Sequence, residues 1–120
     1  MSSTGAPEVS KILEEKGEIN DELDYALMNY LLQNRGPGFT ACQPSLVELK
    51  DGRKAVKMGI DNTFINKENE VMGLGIIGSL FIDFETLKVL FCTPLEELDK
   101  NREKLLKSGV VPQRRPKGKY

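Results

Sequence analysis

Asp51-Gly52 constrains this chain more than any other pair of residues. It stands at the centre of SLVELKDGRKAVKMGI, residues 45–60, and Asp-Gly between alternating apolar and polar residues is the strongest short-range hairpin signal. With those two residues as the loop, Val47 opposes Val56 and Leu49 opposes Lys54. One face then carries Val47, Leu49, Val56, Met58 and Ile60, and the other carries Glu48, Lys50, Arg53, Ala55 and Lys57. That separation describes a hairpin with one face on a core and one in water.

A second hairpin is expected over residues 75–92, GIIGSLFIDFETLKVLFC, turning at Asp83 to Thr86. Asp83 is placed to bond the backbone two residues on. Leu80, Phe81 and Ile82 are consecutive apolar residues, as are Val89 to Cys92, and strands apolar on both sides are covered on both sides. Between the hairpins, DNTFINKENE (61–70) reads as a polar connecting loop whose acids lack the spacing of a twelve-residue calcium loop.

Helical patterns flank this β region. Residues 1–6 read as a frayed end, and from Pro7 the spacing of Val9, Ile12 and Leu13 predicts a helix ending at Gly17. A second helix is expected from Asn20 to Gln33, with Leu23, Ala26, Leu27, Tyr30 and Leu31 as its buried stripe and Gly36 as its left-handed cap. A third follows Thr93 as N-cap, with Pro94 at the first helical position and Glu96 completing a capping box. Its stripe is Leu95, Leu98, Leu105 and Leu106, and Gly109 ends it. The order predicts an α+β fold: an antiparallel sheet of about four strands in two hairpins, two N-terminal helices, one C-terminal helix and a basic flexible tail. Residues 1–111 are expected to form one domain, and 112–120, PQRRPKGKY, a tail disordered until bound. With 39% hydrophobic residues, the chain has enough apolar surface for one such core.

Gly73-Leu74-Gly75-Ile76-Ile77-Gly78 matches the G-x-G-x-x-G template of dinucleotide-binding turns. That chemistry needs a strand before the glycines and a helix N-terminus after them to receive the pyrophosphate. Here polar residues precede the glycines and strand-like residues follow, so the string is read as a strand whose glycines permit a bend or the close approach of a helix. No cofactor is expected.

The chain has no histidine, which removes the commonest general base and metal ligand. Cys42 and Cys92 are too few and too far apart for a zinc motif, so no metal is expected. Cys92, just before a helix start, admits a thiol activated by the helix dipole, against the plainer reading of a small apolar residue filling the sheet. Asp83 and Glu85 share a wet turn and lack a partner to split their pKa values. With no catalytic constellation, an enzyme is not the expected reading.

The net charge of −1 conceals an asymmetry. Residues 1–24 hold seven acids against two bases, and residues 100–120 hold eight bases against one acid. Arg114, Arg115, Lys117 and Lys119 are the candidate contacts for phosphates of nucleic acid or for an acidic protein partner. Otherwise the tail docks on the acidic first helices, in the same or a neighbouring subunit. The leading expectation is a non-enzymatic interaction domain, self-associating as a homodimer through an apolar sheet face formed by Ile76, Leu80, Ile82, Val89 and Phe91. Without a signal-like leader or a segment of about 20 apolar residues, a soluble cytoplasmic location and no membrane contact are expected.

Overall fold

A computed structural model describes residues 6–15 and 21–115. Its elements are β1 (Val9–Glu15), α1 (Asp21–Asn34), β2 (Phe39–Leu49), β3 (Lys54–Ile65), β4 (Val71–Asp83), β5 (Val89–Cys92), α2 (Leu95–Lys107) and β6 (Gln113–Arg114). The strands form one antiparallel sheet in the order β1-β2-β3-β4-β5, and β6 also pairs with β4. The α+β class and the antiparallel sheet are as expected, with six strands in place of four and two helices in place of three among the described residues.

The first expected helix is the strand β1. Val9 lies opposite Leu49, Lys11 opposite Glu48 and Ile12 opposite Val47, so Ser10 is an extra residue in the ladder. That bulge brings Val9 and Ile12, three apart in sequence, to the same side of the sheet. A second irregularity falls between Ile12 and Glu14. The i, i+3 spacing that suggested a helix is thus strand alternation interrupted by bulges. Gly17 and Asn20 lie outside the described residues.

The Asp51-Gly52 turn exists, with the register displaced by one residue. Glu48 pairs with Lys54, Val47 with Ala55 and Leu46 with Val56. The Leu49 N–H donates to the Arg53 carbonyl at 2.8 Å and Gly52 N–H to the Leu49 carbonyl at 2.9 Å. Lys50, Asp51 and Gly52 therefore form a three-residue loop. A two-residue type I′ loop requires two left-handed residues, and here Gly52 has φ 92° while Asp51 has no positive φ. The displacement splits the expected apolar face. Val47, Leu49 and Ala55 cluster with Phe81, while Val56, Met58 and Ile60 join Leu80 and Ile82 beneath Leu27 and Leu31 of α1. The sheet is apolar on both sides.

The segment expected as a loop over 61–70 is mostly strand. β3 continues to Ile65 and β4 begins at Val71, leaving a tight turn in which the Asn66 side-chain oxygen accepts from the Glu68 and Glu70 N–H groups. The Asp83 turn formed as expected, with the Asp83 carboxylate accepting from Glu85 and Thr86 N–H.

Helix α1 turns Leu23, Leu27, Tyr30 and Leu31 toward the core, while Ala26 is exposed. It ends on Gly36 in the left-handed conformation. Arg35, between Asn34 and Gly36, donates to the Thr93 and Cys92 carbonyls at 2.8 and 3.0 Å, tying the helix end to the end of β5.

Thr93 is not an N-cap. Pro94 takes that position, with no side-chain cap bond. Thr93 is fully buried, and its hydroxyl accepts from Ser79 N–H at 2.9 Å and donates to the Ser79 carbonyl at 3.2 Å. This contact belongs to a larger solution. β5 pairs with residues 80–82 of β4 and β6 with 72–73, so residues 74–79 have no strand on that edge. Helix α2 lies against this stretch, and Asn101 donates to the Ile77 carbonyl at 2.7 Å. Side chains complete an edge that no strand covers. Of the expected α2 stripe, Leu98 is fully buried and Leu105 packs on the core, whereas Leu95 and Leu106 are exposed.

Candidate functional site

All of GLGIIG lies inside β4, and strand continues past it to Asp83. The glycines serve packing and backbone conformation. A Cβ on Gly78 would stand 2.5 Å from Leu98 and 2.9 Å from Thr93, so this glycine admits α2. Gly75 holds φ 135° beside the displaced register of Ile76. Gly73 leaves room for a buried ion pair, described below.

The open side of the sheet, opposite α1, has three zones along alternate residues of β3: Ala55, then Lys57 and Gly59, then Asp61. At Ala55 the face is closed by Val47, Leu49 and Phe81, with Phe91 edge-on to Phe81 at a centroid distance of 6.2 Å. Next to it lies an open groove of about 800 Å³, whose lining includes Ile12, Glu15, Val47, Lys57, Gly59 and Ile76. Ile76 folds onto Gly59, where a Cβ would meet its Cδ1 at 2.9 Å. Ile12 and Ile76 remain 59% and 45% exposed, which is what makes this stretch of sheet an apolar surface in water. Lys57 Nζ sits 5.9 Å from the Phe81 ring centre.

The third zone is polar and buried. Asp61 is 1% exposed. One carboxylate oxygen accepts from Gly75 N–H at 3.1 Å, and the other accepts from Arg115 Nε at 2.6 Å. A Cβ on Gly73 would fall 2.5 Å from that nitrogen and 2.6 Å from the carboxylate, so only glycine leaves room for the pair. Around it, Arg114 pairs with Glu70 at 3.0 Å, and Arg115 N–H donates to the Val71 carbonyl at 2.8 Å. Cys42 shares this zone. Its thiol is pushed up to about 12, first by burial and then by the Asp61 charge, with Arg115 opposing.

The five residues expected to share an interface are divided. Leu80, Ile82 and Val89 belong to the core under α1; Ile76 and Phe91 are on the open side. The separation follows from the sheet's alternation, which places Leu80 and Ile82 on one side and Phe81 on the other. Part of the basic tail is placed. Residues 113–115 are ordered against β4, and Arg114 and Arg115 are engaged by acids of the middle of the chain rather than by the acidic head. Lys117 and Lys119 lie outside the described residues. Cys92 is buried and its thiol is raised, chiefly by burial, the opposite of dipole activation. Both cysteines are free.

Sequence reasoning missed Asp61 because it stands in a polar run that resembles a loop. One signal was present: Asp61 directly follows the alternation of 54–60, at the position where a polar residue is due. Among the described residues no cluster of three or more acids or cysteines is placed to hold a metal ion, and no helix is long and apolar enough to cross a membrane. Comparison of the chain with protein-family models, curated proteins and solved structures returns no match.

Proposed function

We propose that the chain is a non-enzymatic interaction domain that self-associates through the open face of its sheet. The observation that carries this reading is the groove beside the exposed Ile12 and Ile76, a stretch of sheet left open with Asn101 of α2 at its border. Apolar surface of this kind is the usual mark of an interface. Edge-to-edge pairing through β1 is disfavoured, because its two irregularities and the charges of Lys11, Glu14 and Glu15 are devices that blunt an edge. Face-to-face association meets no such obstacle. The groove lining also carries both signs of charge, Lys57 and Glu15, and a two-fold contact requires one patch to complement itself.

Light scattering on a sizing column, at low and high salt, tests the reading. The expected mass is twice the 13.4 kDa of one chain at both ionic strengths, because apolar contact is not screened. A single-chain mass throughout the accessible concentration range overturns it.

A further inference from the structure

We propose that Asp61, Gly73 and the neighbouring edge of β4 form a binding site for an extended, arginine-bearing segment, and that the chain's own C-terminal strand occupies it as an exchangeable latch. The site has the parts that strand addition requires: backbone groups on an edge, which only the short β6 covers, for affinity and a side-chain socket for specificity. Met72 and Gly73 supply the edge, pairing with Arg114 and Gln113. The socket is the Asp61 carboxylate, buried and reached over the bare backbone of Gly73. Glu70, at the turn, takes the preceding arginine. The specificity is for two adjacent basic residues of which the second is arginine. A guanidinium donates through Nε in the fixed plane seen here, which a lysine ammonium does not reproduce.

Exchangeability follows from how little else holds the latch. β6 is two residues long, and both are exposed. It joins α2 through Ser108 to Pro112 without regular structure. Segments with few buried apolar contacts open at a small fraction of the global unfolding free energy. When this one opens, the edge and the Asp61 carboxylate become available together. A competing segment then needs only the same chemistry, at a concentration that exceeds the effective concentration of the tethered tail.

The test uses full-length chains and a fluorescent, C-terminally amidated peptide, SGVVPQRR, corresponding to residues 108–115. Amidation keeps a terminal carboxylate away from Asp61. The Arg115→Ala chain is expected to bind the peptide about tenfold or more tightly than the unaltered chain, because its own tail competes less well. Adding Asp61→Asn to Arg115→Ala is expected to remove that gain; asparagine still accepts from Gly75 N–H, so the bulge is retained. Equal binding to all three chains, or no binding to a folded Arg115→Ala chain, overturns the proposal. Hydrogen exchange on the unaltered chain tests it without substitution. The Arg115 amide is expected to exchange far faster than the Leu80 amide, and equal protection of the two refutes an exchangeable latch.

Discussion

At the scale of single residues, the informative ones are those whose surroundings oppose their ordinary chemistry. Cys42 is 3% exposed and faces the Asp61 charge, so the fold holds its proton up to about pH 12 against an ordinary value of 9.0. Between these values the unfolded chain has lost the proton and the folded chain has kept it. The folded state therefore binds more protons, and its stability falls as pH rises through this window. Below pH 9 both states are protonated and Cys42 contributes no slope. The limiting slope is about 1.4 kcal/mol per pH unit. Urea unfolding at intervals from pH 8 to 11 is expected to show a steeper alkaline decline for the unaltered chain than for Cys42→Ala. Parallel curves would show that Cys42 titrates normally. The same burial that raises the thiol makes it a poor nucleophile at neutral pH.

At the scale of elements, much was legible where the local signal and the tertiary outcome agree. α1 was readable from Leu23, Leu27 and Leu31, and the turns at Asp51-Gly52 and Asp83 from their side-chain chemistry. The errors share a cause: irregularities that change the alternation of side chains. A bulge in β1 converted strand spacing into helical spacing, and one extra loop residue at Lys50 moved Val47 and Leu49 to the opposite side from Val56. Neither is encoded in periodicity, because both are settled by pairing with another strand. Thr93 is a related case, since its local pattern is that of a capping box but its hydroxyl bonds the Ser79 N–H and carbonyl. This assignment has a distinctive consequence. Thr93→Val leaves the Ser79 N–H without its partner and is expected to destabilise the fold by about 1–3 kcal/mol in urea unfolding. Thr93→Ser, which keeps the hydroxyl, is expected to cost less. Thr93→Asp separates the two roles: aspartate is a favoured N-cap, but a carboxylate at this buried position has the Ser79 carbonyl beside it. If Thr93→Asp proves as stable as the unaltered chain, Thr93 acts as a cap after all.

At the scale of the whole molecule, both helices leave one side of a two-sided sheet partly open, and the proposed self-association raises the question of which surface would join two copies. The open groove has a competitor among the described residues. Tyr25, Met28 and Leu32 repeat at i, i+3 and i+7 along the outer side of α1, and they are 72%, 50% and 56% exposed. Exposure alone favours the helix stripe. Shape favours the sheet: the stripe offers three side chains on a convex helix, whereas Ile12 and Ile76 border an open recess from which a partner's side chains would displace water. Excluding water around a few central apolar contacts is what concentrates binding energy. Ile76→Glu and Met28→Glu place the same charge on the two candidate surfaces, at positions already exposed, so neither disturbs the core. Ile76→Glu is expected to convert the dimer to a single chain by light scattering, with its urea midpoint changed only by the loss of association. Met28→Glu is expected to leave the dimer intact. The reverse result, a dimer split by Met28→Glu and indifferent to Ile76→Glu, would move the interface to α1 and leave the groove without a role in self-association.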